Sequence, residues 1–279
     1  MKTELRNCSN CGEALNGIYC SNCGQKQLTA EDKKLKHFFI EFFSSLFFAD
    51  GKLLRTFKAL LFQPGKLGNA YVKGIRKRYL SPLQVFFFAN LIYFLVPHFN
   101  TFDTELETQL NSFFYSPLAK EAVMEHIAEN NLEYEAYEKH YESSSTNNAK
   151  LLLIVLVLMQ AVVLQLLFIR RKESYFIDYI GVMSYLNGFI LLVFFVILSS
   201  LIAIMRYSFG FDLQFLDETA LSLTIIFSIL LYSFFLLKGS FEISKWKAFY
   251  KSLILAILFF QLVIFYRFFL FWVTFWVVS

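Results

Sequence analysis

Four cysteines within the first 23 residues are the one constellation in this chain whose types and spacing can do chemistry. They stand as Cys8-x-x-Cys11 and Cys20-x-x-Cys23, and a glycine, Gly12 or Gly24, follows each pair. Such pairs can form disulfides, redox dithiols or a tetrathiolate metal site. Each pair makes a tight knuckle whose two thiolates reach one ion at about 2.3 Å, and four such ligands close the tetrahedron of a structural zinc site. The glycines let the backbone turn through positive φ so that amide groups point at the thiolates. The expected metal ligands are therefore Cys8, Cys11, Cys20 and Cys23, and the expected cofactor is structural zinc. Between the pairs, Asn16-Gly17 flanked by Leu15 and Ile18 is a two-residue hairpin signal that would bring the knuckles face to face. A module this small depends on its metal to fold. Thiol redox chemistry is the other reading, although two separate redox pairs would not need the hairpin.

No catalytic residue is assigned. The histidines, His37, His98, His126 and His140, are scattered along the chain, and the polar residues within apolar runs are Asn90, Gln160, Gln165, Asn187 and one charged group, Arg267. Uncharged amides in a membrane more often join helices than line a path. Arg267 sits 16 residues after Lys251, about 24 Å along a helix, and can snorkel to the outer headgroups.

The elements that must carry the cysteines are those of a membrane protein. Hydrophobic residues make up 57% of 279, with 36 phenylalanines and only 17% charged residues, too apolar for an ordinary soluble domain. About 20 apolar residues are needed to cross about 30 Å of hydrocarbon. Five runs qualify, at about 82–99, 151–169, 179–205, 220–237 and 252–276. The opening residues are polar and lead straight into the cysteines, so no signal peptide is expected.

Lys and Arg counts orient the spans, because the cytoplasmic side carries the excess. Segments 1–81, 170–178 and 238–251 hold 14, 3 and 4, whereas 100–150 and 206–219 hold 3 and 1. Twenty-one against four, alternating without exception, puts the N-terminus in the cytoplasm and the C-terminus outside. A reducing cytoplasm also suits free thiolates.

Between the knuckles and the first run, Leu35, Phe38, Phe39, Phe42, Phe43, Leu46 and Phe47 form a continuous helical stripe. A second helix with Leu53, Leu54, Phe57, Leu60 and Leu61 ends at Pro64-Gly65. Both suit helices lying in the membrane surface, and a hairpin packed on itself or on the spans is the alternative. The cluster Arg76-Lys77-Arg78 then marks topology and is a candidate site for anionic lipid headgroups; without interleaved aromatics it argues against nucleic acid.

The knuckle ending Tyr19-Cys20-Ser21-Asn22-Cys23-Gly24-Gln25-Lys26, the amphipathic stretch, Pro64-Gly65 and Gly74-x-Arg76-x-x-Tyr79-x-x-Pro82 together resemble an uncharacterised bacterial zinc-ribbon membrane family, domain of unknown function 3667. The resemblance covers roughly the first 95 residues. It implies a bacterial inner-membrane location and no activity.

The large loop 100–150 holds 10 acidic and 3 basic residues, against 6 acidic and 14 basic in 1–81. Ser116-Pro117 is a helix start, and Val123, Ile127, Tyr134, Tyr137 and Tyr141 fall near one face before Ser143-Ser144-Ser145-Thr146, so one outer helix is expected there.

The fold expected is an all-α integral membrane protein: a zinc ribbon at 1–28, amphipathic interfacial helices with a basic cluster at 29–81, and about five transmembrane helices at 82–279 with an acidic helical outer loop. The leading function is a non-enzymatic inner-membrane protein that recruits or senses a cytoplasmic partner through the ribbon. Transport of a small neutral or lipid-like solute comes second, and a membrane enzyme third.

Overall fold

The computed structural model describes residues 7–15, 17–27, 51–95, 105–171, 173–209 and 218–279. Asn16 of the expected hairpin turn, the stripe from Leu35 to Phe47, His37 and His98 lie outside them.

Among the described residues the regular elements are helices: α1 Lys52–Phe62, α2 Pro64–Val72, α3 Pro82–Leu95, α4 Leu106–Asn111, α5 Ser116–Glu129, α6 Tyr134–Leu167, α7 Phe176–Ile190, a π-helical segment Leu191–Leu198, α8 Ser199–Phe209, α9 Glu218–Ser240 and α10 Lys245–Val278. Four stretches are long and apolar enough to cross a membrane: Tyr134–Leu167, Phe176–Ile202, Leu223–Ser240 and Lys245–Val278. Pro82–Leu95, the expected first span, is a shorter apolar helix, so the expected count of about five is close.

Local signals explain where these helices stop. Gly74 has φ of 80°, and the N–H groups of Gly74 and Ile75 bond back to the carbonyls of Tyr71 and Ala70, which closes α2 as a Schellman motif. Ser81, Pro82 and Gln84 open α3 as a capping box. The Ser81 N–H donates to Gln84 Oε1 at 2.8 Å and the Gln84 N–H donates to Ser81 Oγ at 3.4 Å, with Pro82 at the first helical position. Between them the Leu80 N–H donates to Thr56 Oγ1, which fastens α1 to the start of α3.

Helix α7 is the centre of the bundle. All twelve residues from Ile177 to Gly188 are buried, and α7 touches α2, α3, α6 and α9. A helix apolar all round is an interior helix, and its sequence is of that kind. Three serines within the long helices satisfy themselves, as membrane interiors demand: Ser184, Ser233 and Ser252 each donate Oγ–H to the carbonyl four residues earlier. α6 and α10 pack antiparallel along their lengths, with Asn148 Nδ2 donating to Thr274 Oγ1 at one end and Lys251 Nζ donating to the Leu167 carbonyl at the other.

The single outer helix expected from Ser116 onward is two helices. α5 ends at Glu129, and Asn131, with φ of 50°, turns the chain while Leu132 N–H bonds to the Ile127 carbonyl. α6 then starts at Tyr134 and continues through Ser143–Thr146 without a break into the expected span, 34 residues and about 51 Å in all. The Ser-Thr run does not end the helix. Ser145 is wholly buried, and Thr146 bonds back to the Glu142 carbonyl, so these side chains serve the helix instead of competing with it.

Candidate metal centre and its dock

The four cysteines gather. Cys8 Sγ lies 3.6 Å from Cys23 Sγ, and Cys11 Sγ lies 3.6 Å from Cys20 Sγ. All four sulfurs fall within 4.8 Å of one another. A metal–sulfur bond of about 2.3 Å gives a tetrahedron with edges of about 3.8 Å, whereas a disulfide needs about 2.05 Å. The cysteines are free, and the spacing is that of a cluster able to hold a metal ion. Four thiolates so close repel one another unless a cation sits among them.

The two knuckles are built alike. Asn7 bridges Ala14 around the first, and Tyr19 bridges Lys26 around the second. In each, the first cysteine N–H bonds to the carbonyl five residues on, Cys8 to Glu13 and Cys20 to Gln25, and the glycine N–H returns to that cysteine's carbonyl. Gly12 and Gly24 have φ of 79° and 65°, the left-handed region that a side chain would strain. The repeated Cys-Ser-Asn-Cys-Gly is the signal of this internal symmetry. Each knuckle thus closes on itself, and the bridges among the described residues lie within knuckles, not between them. Hydrogen bonds from the Asn10 side chain and the Gln25 backbone draw the Cys23 thiol down to about 6. At Cys11 the Glu13 backbone bond also pulls downward, but burial and protons shared with Cys20, Cys23 and Cys8 raise it to about 12. One sulfur gives up its proton early and another holds one late, as expected of crowded donors.

The ribbon does not hang free. Gln25, which is buried, donates Nε2–H to the Gly74 carbonyl at 3.0 Å and accepts the Arg76 N–H on Oε1 at 3.3 Å. Its side chain therefore reads the loop after α2 as a neighbouring strand would. Arg76 in turn lies over the Tyr71 ring at 4.0 Å, and Lys77 Nζ reaches the Cα side of Gly24. A tetrathiolate around a divalent ion carries a charge of about −2, so the cations beside it are complementary. The basic segment singled out for lipid is thus also the seat of the ribbon. Sequence reasoning missed Gln25, because nothing in its local pattern shows a partner 49 residues away.

Further cations cap helices at the same end. Arg171 donates to the Phe241 carbonyl at 2.6 Å, just past α9, and Lys251 serves the end of α6. The tyrosines tie the α1–α2 layer down: Tyr71 to the Ile177 carbonyl, Tyr185 to that of Leu80, Tyr232 to that of Leu60.

The membrane amides do not converge on one cavity. Asn187 Nδ2 donates to Gln160 Oε1 and to the Met183 carbonyl, Asn90 donates to the Lys150 carbonyl, and Gln165 is exposed. Arg267 lies over the Phe113 ring at 5.3 Å. It belongs to a cluster at the far end, where Leu106, Leu110, Tyr115, Val123 and Tyr141 pack around Phe271 of α10. His126 and His140 lie on α5 and α6, away from the cysteines.

No curated protein and no solved structure matches the chain. Residues 50–94, which include α1, α2, the loop that seats the ribbon and α3, match a protein family of unknown function, DUF3667, the family that the N-terminal motifs resemble.

Proposed function

We propose that this is a non-enzymatic multi-pass protein of the bacterial inner membrane, with a cytoplasmic N-terminal ribbon that holds structural zinc through Cys8, Cys11, Cys20 and Cys23 and recruits or senses a cytoplasmic partner. The observation that carries the reading is the dock: a small module built to bind a metal is fastened by Gln25 to the basic loop between α2 and α3. Zinc is the ion favoured by four sulfur ligands in a closed site of low complexity. The charge asymmetry across the spans supports the orientation. The partner surface is the outer edge of the ribbon, where Ile18 and Tyr19 are each 64% exposed. Two large apolar residues held in solvent on a rigid module suit recognition.

Pull-down from membranes tests this with three chains: wild type, Cys8→Ser/Cys20→Ser, and Ile18→Ser/Tyr19→Ser. Metal analysis should give one zinc per wild-type chain, none in the cysteine variant and one in the Ile18/Tyr19 variant. Both variants should lose the same partner. An identical partner set in all three would remove recruitment from the ribbon.

A further inference from the structure

A cleft of about 1070 Å³ opens between α1–α2 and α9, on the same end of the bundle as the ribbon. Its α9 wall is one stripe, Ser228, Leu231, Phe235 and Lys238, spaced three and four residues apart, with Glu242 just past the helix end. The stripe changes character along its length. The first three residues lie inside the apolar part of the helix, and Lys238 stands in its last turn, about 15 Å beyond Ser228. Among the apolar lining residues, Phe62 is 75% exposed and Phe235 is 50% exposed. Lys66 and Arg78 line the same cleft as Lys238.

The charges at the mouth do not cancel. Glu242 is claimed by Lys73, whose Nζ lies 2.5 Å from its carboxylate, and that hydrogen bond and charge hold the Glu242 carboxyl below its usual range. Lys66, Arg78 and Lys238 remain as three cations lining a cleft that is otherwise largely apolar. Gly65 and Gly239 bring the two helix backbones together at one point, Asn69 Nδ2 donates to the Gly239 carbonyl beside it, and the Phe189 and Tyr232 rings stack at 3.7 Å as a solid floor.

We propose that this cleft holds an anionic phospholipid, its phosphate among Lys66, Arg78 and Lys238 and one acyl chain along the Ser228–Leu231–Phe235 stripe of α9. Apolar below and cationic at the helix end is the profile of a lipid molecule seen from the side. A zwitterionic lipid would bring its own cation into the three. A second copy in the same orientation fits poorly, because 10 of the 22 acidic residues lie in 100–150, the segment at the other end of the bundle. The site is independent of what the ribbon binds.

The test uses the full-length protein in nanodiscs of phosphatidylcholine with and without phosphatidylglycerol, with the lipids kept on release counted by native mass spectrometry. Wild type should retain phosphatidylglycerol over phosphatidylcholine. Each of Lys66→Gln, Arg78→Gln and Lys238→Gln should cut that preference about fivefold, the weight of one cation near a lipid surface. Ser228→Trp, which fills the slot below, should lower retention of both lipids and leave the preference intact. Equal retention of the two lipids by wild type would overturn the proposal. So would an unchanged preference in all three single variants, or a second protein chain released in place of lipid. The single substitutions are at solvent-reaching side chains, and equal melting temperatures in pure phosphatidylcholine discs show that folding is not what changed.

Discussion

Gln25 holds the ribbon through two neutral hydrogen bonds to one loop, each contributing about 1 kcal/mol. Gln25→Ala should therefore leave metal content unchanged, since Gln25 lies outside the four-cysteine cluster, while hydrogen exchange at the Arg76 amide rises. Gln25→Glu keeps the acceptor for the Arg76 N–H but loses the donor for the Gly74 carbonyl, so exchange at Arg76 should rise less than in the alanine variant. Equal exchange in all three proteins would show that the dock contributes nothing. Asn131 makes a second argument at this scale. Its φ of 50° is a cost that glycine does not incur. Asn131→Gly should preserve thermal stability in detergent, and Asn131→Ala should lower it by about 1 kcal/mol.

Among elements, the contact of α2 with α9 is the tightest. A methyl added at Gly239 would fall on the backbone of Gly65, which cannot turn aside, whereas one added at Gly68 meets the Ser240 side chain, which can. Gly239→Ala should then cost about 2–3 kcal/mol in unfolding experiments and Gly68→Ala distinctly less. The same contact explains why Pro64-Gly65 belongs to the motif by which the N-terminal region resembles its family: proline starts α2 at its first residue and glycine lets α9 approach. Gly74, Tyr79 and Pro82 are likewise placed by structure, the first at a helix stop, the second buried in the core, the third at a helix start. α1 was legible as a helix ending before Pro64-Gly65. What its periodicity could not show is that Thr56, Ala59 and Leu60 are buried while Leu54 and Phe62 stay exposed, because an apolar face suits a protein neighbour and a lipid neighbour equally.

For the whole molecule, the buried amides decide between joining helices and lining a path. Gln160 on α6 and Asn187 on α7 bond to each other across the central packing surface. Either one replaced by leucine strands its partner in a low-dielectric interior, at about 0.6–2 kcal/mol. The double variant Gln160→Leu/Asn187→Leu should cost clearly less than the sum of the singles in a double-mutant cycle. Strict additivity would mean that the pair does not act as one.

Residue types and spacing determined the cysteine cluster, the membrane-spanning character and the asymmetry of charge, because each rests on local chemistry: thiols two apart, apolar runs of bilayer length, cations counted loop by loop. They also marked the start of α5 at Ser116-Pro117 and the stop of α1 before Pro64-Gly65, because these signals act within a few residues. Tertiary structure alone decided that each knuckle closes on itself, that the ribbon rests on the loop at Gly74 and Arg76, and that the outer helix breaks at Asn131 and fuses onward into a span. The cleft of Lys66, Arg78 and Lys238 is of this second kind. Its three cations come from helix α2, the loop after it and the last turn of α9, up to 172 residues apart, and only packing α1 and α2 against α9 brings them to one cleft.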